Sequence, residues 1–410
     1  MITPSFALTA TERVLPRLAL DFTTASLDTR VTFTRTGNTA TVVNSSGYIT
    51  PINANLPRFD FNPVTLVCRG LLIEEARTNI FTYSNTFANV IWITGNVNFS
   101  TTATLSPDGT SSVQTWTANG SAATHFFSQA YVASASATTC SIYAKAGTNN
   151  FFQIRLGADA TVFANFDVAT GVIGTTGNCT ATITPSINGF YRCTITYTSA
   201  TATAVAFCIV TSNTAVRNES NSLSTSVLFY GAQLEVGAFA TSYIDCPTTA
   251  TTRNADVASM TGTNFTDWYN ATEGTIAGSG TSFGIIAGAT FGRLLAISNA
   301  AATDTIEFRN WSGSTNNSFI VQISSLQQAQ LSFGAAVNNT SYNYIGAYKV
   351  NNFAASINAA TVLTDAAGNI PTVDRMIIGN LSAQYYNGHI RKISYYPQRL
   401  TNAELQAFSK

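Results

Sequence analysis

Hydrophobic and polar positions along this chain alternate in many short runs. Residues 140–145 and 151–156 alternate with period two, the spacing of a half-buried strand. Residues 162–168 form another run, closed by the turn Ala169-Thr170-Gly171. Residues 190–197 come after the turn Ile187-Asn188-Gly189, and 204–211 and 227–236 complete the series. These runs are rich in aromatic and β-branched residues and are divided by Gly and Asn turns, which predicts a β-sandwich or jelly roll over residues 81–245. The pattern returns at 291–298, 305–309, 318–324, 342–349, 353–357, 375–379 and 389–396, predicting a second sandwich over 271–410. One helix is predicted, at the C-terminus. Thr401-Asn402-Ala403-Glu404 has the form of a capping box, with Leu400, Leu405 and Phe408 as apolar positions, and the helix is expected to seal a sandwich edge.

Two stretches break the pattern. Residues 1–80 alternate only over the second half of 28–35, and Pro51, Pro57 and Pro63 punctuate the residues beyond it. This part reads as an extended N-terminal arm that wraps onto a neighbour or serves assembly. Residues 246–270 open with Cys246-Pro247-Thr248-Thr249-Ala250-Thr251-Thr252 and read as a linker. The fold class is therefore all-β, with two sandwich domains preceded by an extended arm.

Composition narrows the function classes. Charged residues are 10% of the 410, against roughly 25% in ordinary soluble proteins. Hydrophobic residues at 45% and aromatic residues at 11% exclude a disordered chain. Twenty basic residues balance twenty acidic ones, so no basic excess points to nucleic acid. No apolar stretch reaches membrane-spanning length. The opening MITPSFALTATERVLPRLAL has no basic n-region and its apolar stretches are interrupted, so it does not read as a secretory signal. Small neutral polar residues in place of charge suit secreted, fibrous or particle-surface proteins. Without a signal, they suit a protein assembled in the cytoplasm and released by lysis. The six cysteines, Cys68, Cys140, Cys179, Cys193, Cys208 and Cys246, are irregularly spaced without a CxxC pair, and read as buried free thiols.

The chemistry of catalysis is thin. Both histidines, His125 and His389, lie in strand-like contexts without partners at metal-ligand spacing. No nucleophile elbow, P-loop or dinucleotide fingerprint is present. Glu74 and Glu75 are adjacent acids. On a strand they would face opposite ways and could not converge on one glycosidic bond, so pairing with Arg77 or Arg69 is the expected role. Residues 365–369 are too sparse in ligands for calcium. No cofactor, metal or enzymatic activity is expected.

Binding chemistry is better represented. Sugars are held by aromatic faces and by side-chain amides. Asn310-Trp311-Ser312-Gly313-Ser314-Thr315-Asn316 sets a Trp in a polar turn, and Tyr385-Tyr386 lies in a second cluster. Trp311, Asn310, Asn316, Tyr385 and Tyr386 are the candidate carbohydrate-binding residues. Trp92, Trp116 and Trp268 sit in regular runs and are expected in the core.

Several segments resemble known sequences. Leu20-Asp21-Phe22-Thr23-Thr24, Arg30 to Arg35, Leu56 to Asp60 and Gly70 to Asn79 look like a recurring module of tailed-phage virion proteins. Phe229 to Ile244 resembles the closing strands of a carbohydrate-binding-module-like jelly roll in such proteins. Asn387 to Pro397, with Leu400-Thr401, is similar to the end of concanavalin A-like (laminin G-like) domains. The resemblance implies a non-enzymatic virion structural protein of tail-fibre, minor-tail or capsid-decoration type. It implies other virion proteins as partners, a homo-oligomer with a trimer expected, and host-surface glycan as a ligand. The alternatives are a purely structural head decoration or head fibre, and a polysaccharide depolymerase.

Overall fold

The computed structural model describes residues 15–110, 113–284, 291–311 and 316–410, with Trp311 described by its backbone alone. Among the described residues the principal sheets have six, six, eight and nine strands.

The two six-stranded sheets form the first sandwich. One runs in the order Thr180–Pro185, Tyr191–Ser199, Ser134–Ala146, Ser226–Val236, Gln114–Ala118, Val97–Thr101. The other contains Phe151–Leu156, Ala204–Ile209 and His125–Ala130 at its centre. Alternation along each strand sends Cys140, Ile142, Cys193 and Ile195 inward from the first sheet and Phe152, Ile154, Phe207 and Ile209 inward from the second. An aromatic stack joins them: Phe127 lies 4.4 Å from Trp116 and 5.0 Å from Phe207 between ring centroids. Each fully buried ring contributes about 1.5–3 kcal/mol through removal from water. Trp92, Trp116 and Trp268 are all buried, as expected, but only Trp116 lies on a strand: Trp92 precedes Ile93–Gly95 and Trp268 follows the short helix Thr263–Thr266. Cys140, Cys193, Cys208 and Cys246 are buried free thiols, while Cys68 and Cys179 are half-buried.

The second sandwich places the eight-stranded sheet over the nine-stranded one, and its strands come from both ends of the chain. Leu18–Asp21 and Cys68–Ile73 pair with Gly388–Tyr396. Thr32–Thr34 pairs with Val257–Thr261 in the opposite sheet. The N-terminal segment is thus extended, and it extends along the C-terminal part of its own chain. Leu18, Leu20, Phe22, Phe33, Leu71 and Ile73 enter the same core as Leu295, Phe308, Tyr344 and Ile393. The boundaries drawn from composition shift accordingly. Residues 246–270 contain Thr251–Arg253 and Val257–Thr261, both paired, so this stretch is built into the fold rather than left as a linker.

Both partial readings have a physical reason. Strands of three or four residues interrupted by proline lack the length that marks a strand in sequence, and they are held here by long neighbours. The terminal helix, Asn402–Phe408, carries the expected capping box between Thr401 and Glu404. It covers a sheet face instead of an edge: Leu400 and Leu405 pack on Ile345, Ala347 and Ala354. Phe408 stays 46% exposed, its ring stacked on Tyr396.

Candidate functional site

Alternation in the first sandwich leaves a polar outer face. On Tyr191–Ser199 the outward residues are Arg192, Thr194 and Thr196. Their cross-strand neighbours are Thr184, Thr182 and Thr180 on one side and Tyr143, Ser141 and Thr139 on the other. Nine neighbouring positions therefore form a grid that carries, with Arg192 and Tyr143, only hydroxyl side chains. The outer row, Thr180, Thr182 and Thr184, is exposed, while Thr139 and Ser141 are buried. Thr139 and Thr196 bond through their hydroxyls at 2.9 Å, and Thr139 Oγ1 donates to Gly237 O at 2.7 Å.

All of the grid except the buried Thr139 and Ser141 lines one wall of a cleft of about 690 Å³. The hairpin Ala40–Val43/Ile49–Ile52 and residues 238–243 close one side, and Asp60, Arg69, Phe283 and Asn338 of the second sandwich form the other. Thr41 Oγ1 donates to Tyr243 O at 2.5 Å and ties the hairpin down. Asp60 is engaged on both oxygens: Val43 N donates to Oδ1 at 2.8 Å, and His389 Nε2 lies 2.8 Å from Oδ2. Arg69, 40% exposed, stands 3.7 Å from the same carboxylate.

At the back of the cleft, where the chain crosses between the sandwiches, charge is buried. Arg58 Nη1 pairs with Glu74 at 2.7 Å, and its Nη2 with Asp256. Arg253 reaches Glu74 at 3.2 Å, and Arg35 reaches Asp256 at 3.0 Å. Ser242, in the segment that leaves the first sandwich, donates its backbone N–H and its hydroxyl to Glu74 at 2.8 and 2.7 Å. Burial by itself would raise Glu74, but the Arg253 and Arg58 guanidiniums and the Ser242 bonds outweigh it and hold the carboxyl well below the usual range. Glu75 pairs with Arg77, as its position in sequence suggested, while Arg69 goes to Asp60. Both glutamates lie beyond the strand end at Ile73 and are buried, each in its own ion pair. Neither is free to act as an acid or a nucleophile. His125 sets its ring nitrogens against the carbonyls of Asn96 and Asn221, at 2.7 and 3.0 Å. Among the described residues no cluster of His, Cys, Asp and Glu could hold a metal ion.

The residues singled out for sugar binding lie elsewhere, at one end of the nine-stranded sheet. Asn310 is 4% exposed and its Oδ1 has no hydrogen-bond partner. Asn316 is exposed and Tyr385 half-buried. Tyr385 and Asn310 flank Gly292, in strands on either side of it. Tyr386 is 1% exposed and belongs to the core, against which Tyr385 also packs in part, so Tyr386 offers no ring to a ligand. Trp311 ends the strand Thr305–Trp311, and the turn 312–315 lies outside the described residues.

The hydroxyl grid was missed in sequence. The signal was present in Thr180-Ala181-Thr182-Ile183-Thr184, a period-two run whose apolar members pack on the core.

No family model and no curated protein matches the chain. Among solved structures it is similar to the Ruminococcus gnavus IT-sialidase CBM40 bound to α2,3-sialyllactose, at 16% identity over 34% of this chain and 84% of that one, with a TM-score of 0.29. It is similar to the NanB sialidase of Streptococcus pneumoniae at 13% identity over 37% of this chain and 26% of that one, TM-score 0.30. It is also similar to a heptameric SAP-like pentraxin from Limulus polyphemus at 14% identity over 34% and 70%, TM-score 0.27. Scores this low carry no functional argument, and the all-β sandwich architecture rests on the sheets themselves.

Proposed function

We propose that this chain is a non-enzymatic glycan-binding protein of a particle surface, and that the cleft between its sandwiches is the binding site. The observation that carries this reading is the hydroxyl grid walling a cleft of about 690 Å³. That volume falls in the range of small-ligand sites. Hydroxyls both donate and accept, so a row of them matches a polyhydroxylated ligand without demanding a charge. A hydrolase would need a carboxylate free to change protonation state. In this cleft Glu74 is locked by guanidiniums, and Asp60 is bonded on both oxygens. The virion setting, as tail fibre or capsid decoration, is supported by the sequence resemblance and by the low-charge surface.

Glycan-array binding of the full chain tests the site. Binding that falls about tenfold in Thr182→Val/Thr184→Val, with an unchanged melting temperature, is the expected result, since each lost ligand hydrogen bond is worth about 0.5–1.5 kcal/mol. Binding that persists in this variant but is lost on Trp311→Ala/Tyr385→Ala would move the site to the end of the second sandwich. Gold-labelled antibody on intact particles tests the setting: label on the tail or its fibres supports adhesion, label over the head supports decoration, and no label overturns the virion reading.

A further inference from the structure

The grid is neutral except at one position, and that position is unbalanced. Arg192 stands between Thr184 and Tyr143 on the cleft wall. Its Nη2 donates to Ser141 Oγ at 3.0 Å, and its guanidinium carbon lies 5.5 Å from the centre of the Tyr143 ring. Its Nε is buried with no hydrogen-bond partner. Among the described residues it forms no ion pair, whereas Arg35, Arg58, Arg77, Arg253, Arg293 and Arg309 are all paired. From the opposite wall Arg69 faces the same space, and its one acidic neighbour, Asp60, is already bonded to Val43 and His389.

We infer that the ligand of this cleft is an acidic oligosaccharide, with a carboxylate or sulfate group held between Arg192 and Arg69; this rests on the cleft being the glycan site. A guanidinium taken partly out of water with donors unmet is costly, and an anion that completes its bonds offsets that cost. The fully buried arginines are matched by acids, while the half-buried Arg155, Arg217 and Arg399 also form no ion pair among the described residues and bond to a thiol or to backbone carbonyls. What sets Arg192 apart is its place on the cleft wall, with Arg69 facing the same space. Tyr143 adds a neutral donor: burial pushes its hydroxyl up, so it stays protonated at physiological pH. The grid hydroxyls would hold the sugar ring, and the two arginines would select its charge.

The test uses the full chain on an array of oligosaccharides in matched pairs: uronates beside their carboxyl-reduced forms, and sulfated sugars beside their desulfated forms. The expected result is tighter binding of at least one acidic member over its neutral partner by about tenfold or more, the scale of a hydrogen bond to a charged group. Arg192→Gln keeps a polar side chain at the position and removes the charge, and it should abolish that preference. Arg69→Gln, at a more exposed position, should reduce it without touching the fold. Which pair responds distinguishes carboxylate from sulfate. Equal binding within every pair, with both variants unchanged, overturns the inference and leaves the glycan site standing. No binding by any sugar overturns the site and the inference together. A preference that survives in both variants places the anion elsewhere and overturns the inference.

Discussion

The first sandwich takes its strands from one continuous stretch between Ile93 and Val236, whereas the second takes them from Leu18 to Ile73 and again from Val257 to Tyr396. The one is thus inserted in the other. An inserted unit has its core assembled from its own sequence and needs only its ends brought together. The interrupted unit must close over the whole insert before its sheets are complete, which makes its contacts non-local and costs loop-closure entropy. The junction where the chain crosses between them carries Arg58, Glu74, Ser242, Arg253 and Asp256, and the cleft opens at the same place. Architecture and candidate site therefore have one origin: inserting one sandwich in the other leaves a polar sheet face beside a foreign wall.

The strongest way to break this comparison is to cut the chain. Without residues 15–73 the second sandwich loses Leu18, Leu20, Phe22, Phe33, Leu71 and Ile73 from its core. At about 1.5–3 kcal/mol each, that loss matches or exceeds the whole stability of a typical domain. Residues 257–410 expressed alone should show no cooperative thermal transition, while residues 79–246 should melt cooperatively. A sharp transition for 257–410 by circular dichroism would refute the interdependence of the two termini.

The next effect concerns the junction. Glu74→Gln leaves Arg58 and Arg253 buried beside a neutral amide, and breaking such a pair costs about 3–5 kcal/mol. The pH dependence has a definite sign. Glu74 is held below its ordinary value of 4.5, so its contribution is complete above that pH and is lost as the pH falls further. The stability gap between wild type and Glu74→Gln, read from urea titrations, should therefore narrow on acidification below about pH 4.5. A gap constant from pH 7 to pH 3 would show that the carboxylate charge is not what binds the junction.

A smaller change probes the pairing of the N-terminal strand itself. Gly70 has φ +112°, and a Cβ there would lie 2.2 Å from the carbonyl oxygen of Ile390. Gly70→Ala must strain the backbone and push Cys68–Ile73 away from Gly388–Tyr396. The expected cost is about 1–3 kcal/mol, and amide exchange should quicken on both strands and stay unchanged within the first sandwich. Faster exchange in the first sandwich as well would mean that the two units unfold as one.

The same contrast explains what was legible in the sequence. The strand at Phe151–Leu156 and the core around Trp116 follow from alternation, because each segment there carries its own apolar face. Leu18–Asp21, Thr32–Thr34 and Phe59–Phe61 are too short to carry such a signal, and only their long partners make them strands. The cleft was illegible for a different reason. It is made of outward residues from Ser134–Ala146, Thr180–Pro185 and Tyr191–Ser199, set against Asp60 and Arg69. No single segment contains it, while the Trp311 turn, which a single segment does contain, stands out by composition alone.

The smallest stability effect is expected at the hydroxyl grid, and that is what makes it informative. Thr180, Thr182 and Thr184 are exposed and point away from the core, while Ala181 and Ile183 between them pack inward. Valine has nearly the shape of threonine and a slightly higher affinity for strands, so Thr182→Val should move stability by no more than about 0.5 kcal/mol in either direction. Ile183→Ala, one residue along the same strand, removes buried carbon and should destabilise by about 1 kcal/mol or more, below the 2–5 kcal/mol of a fully buried site because Ile183 is only half-buried. The two substitutions therefore separate the faces of one strand. If glycan binding falls in Thr182→Val while the melting temperature holds, the outer face exists for the ligand and the inner face for the fold. If Thr182→Val melts as low as Ile183→Ala, the grid is bearing on stability, and its hydroxyls serve the junction between the sandwiches rather than a bound sugar.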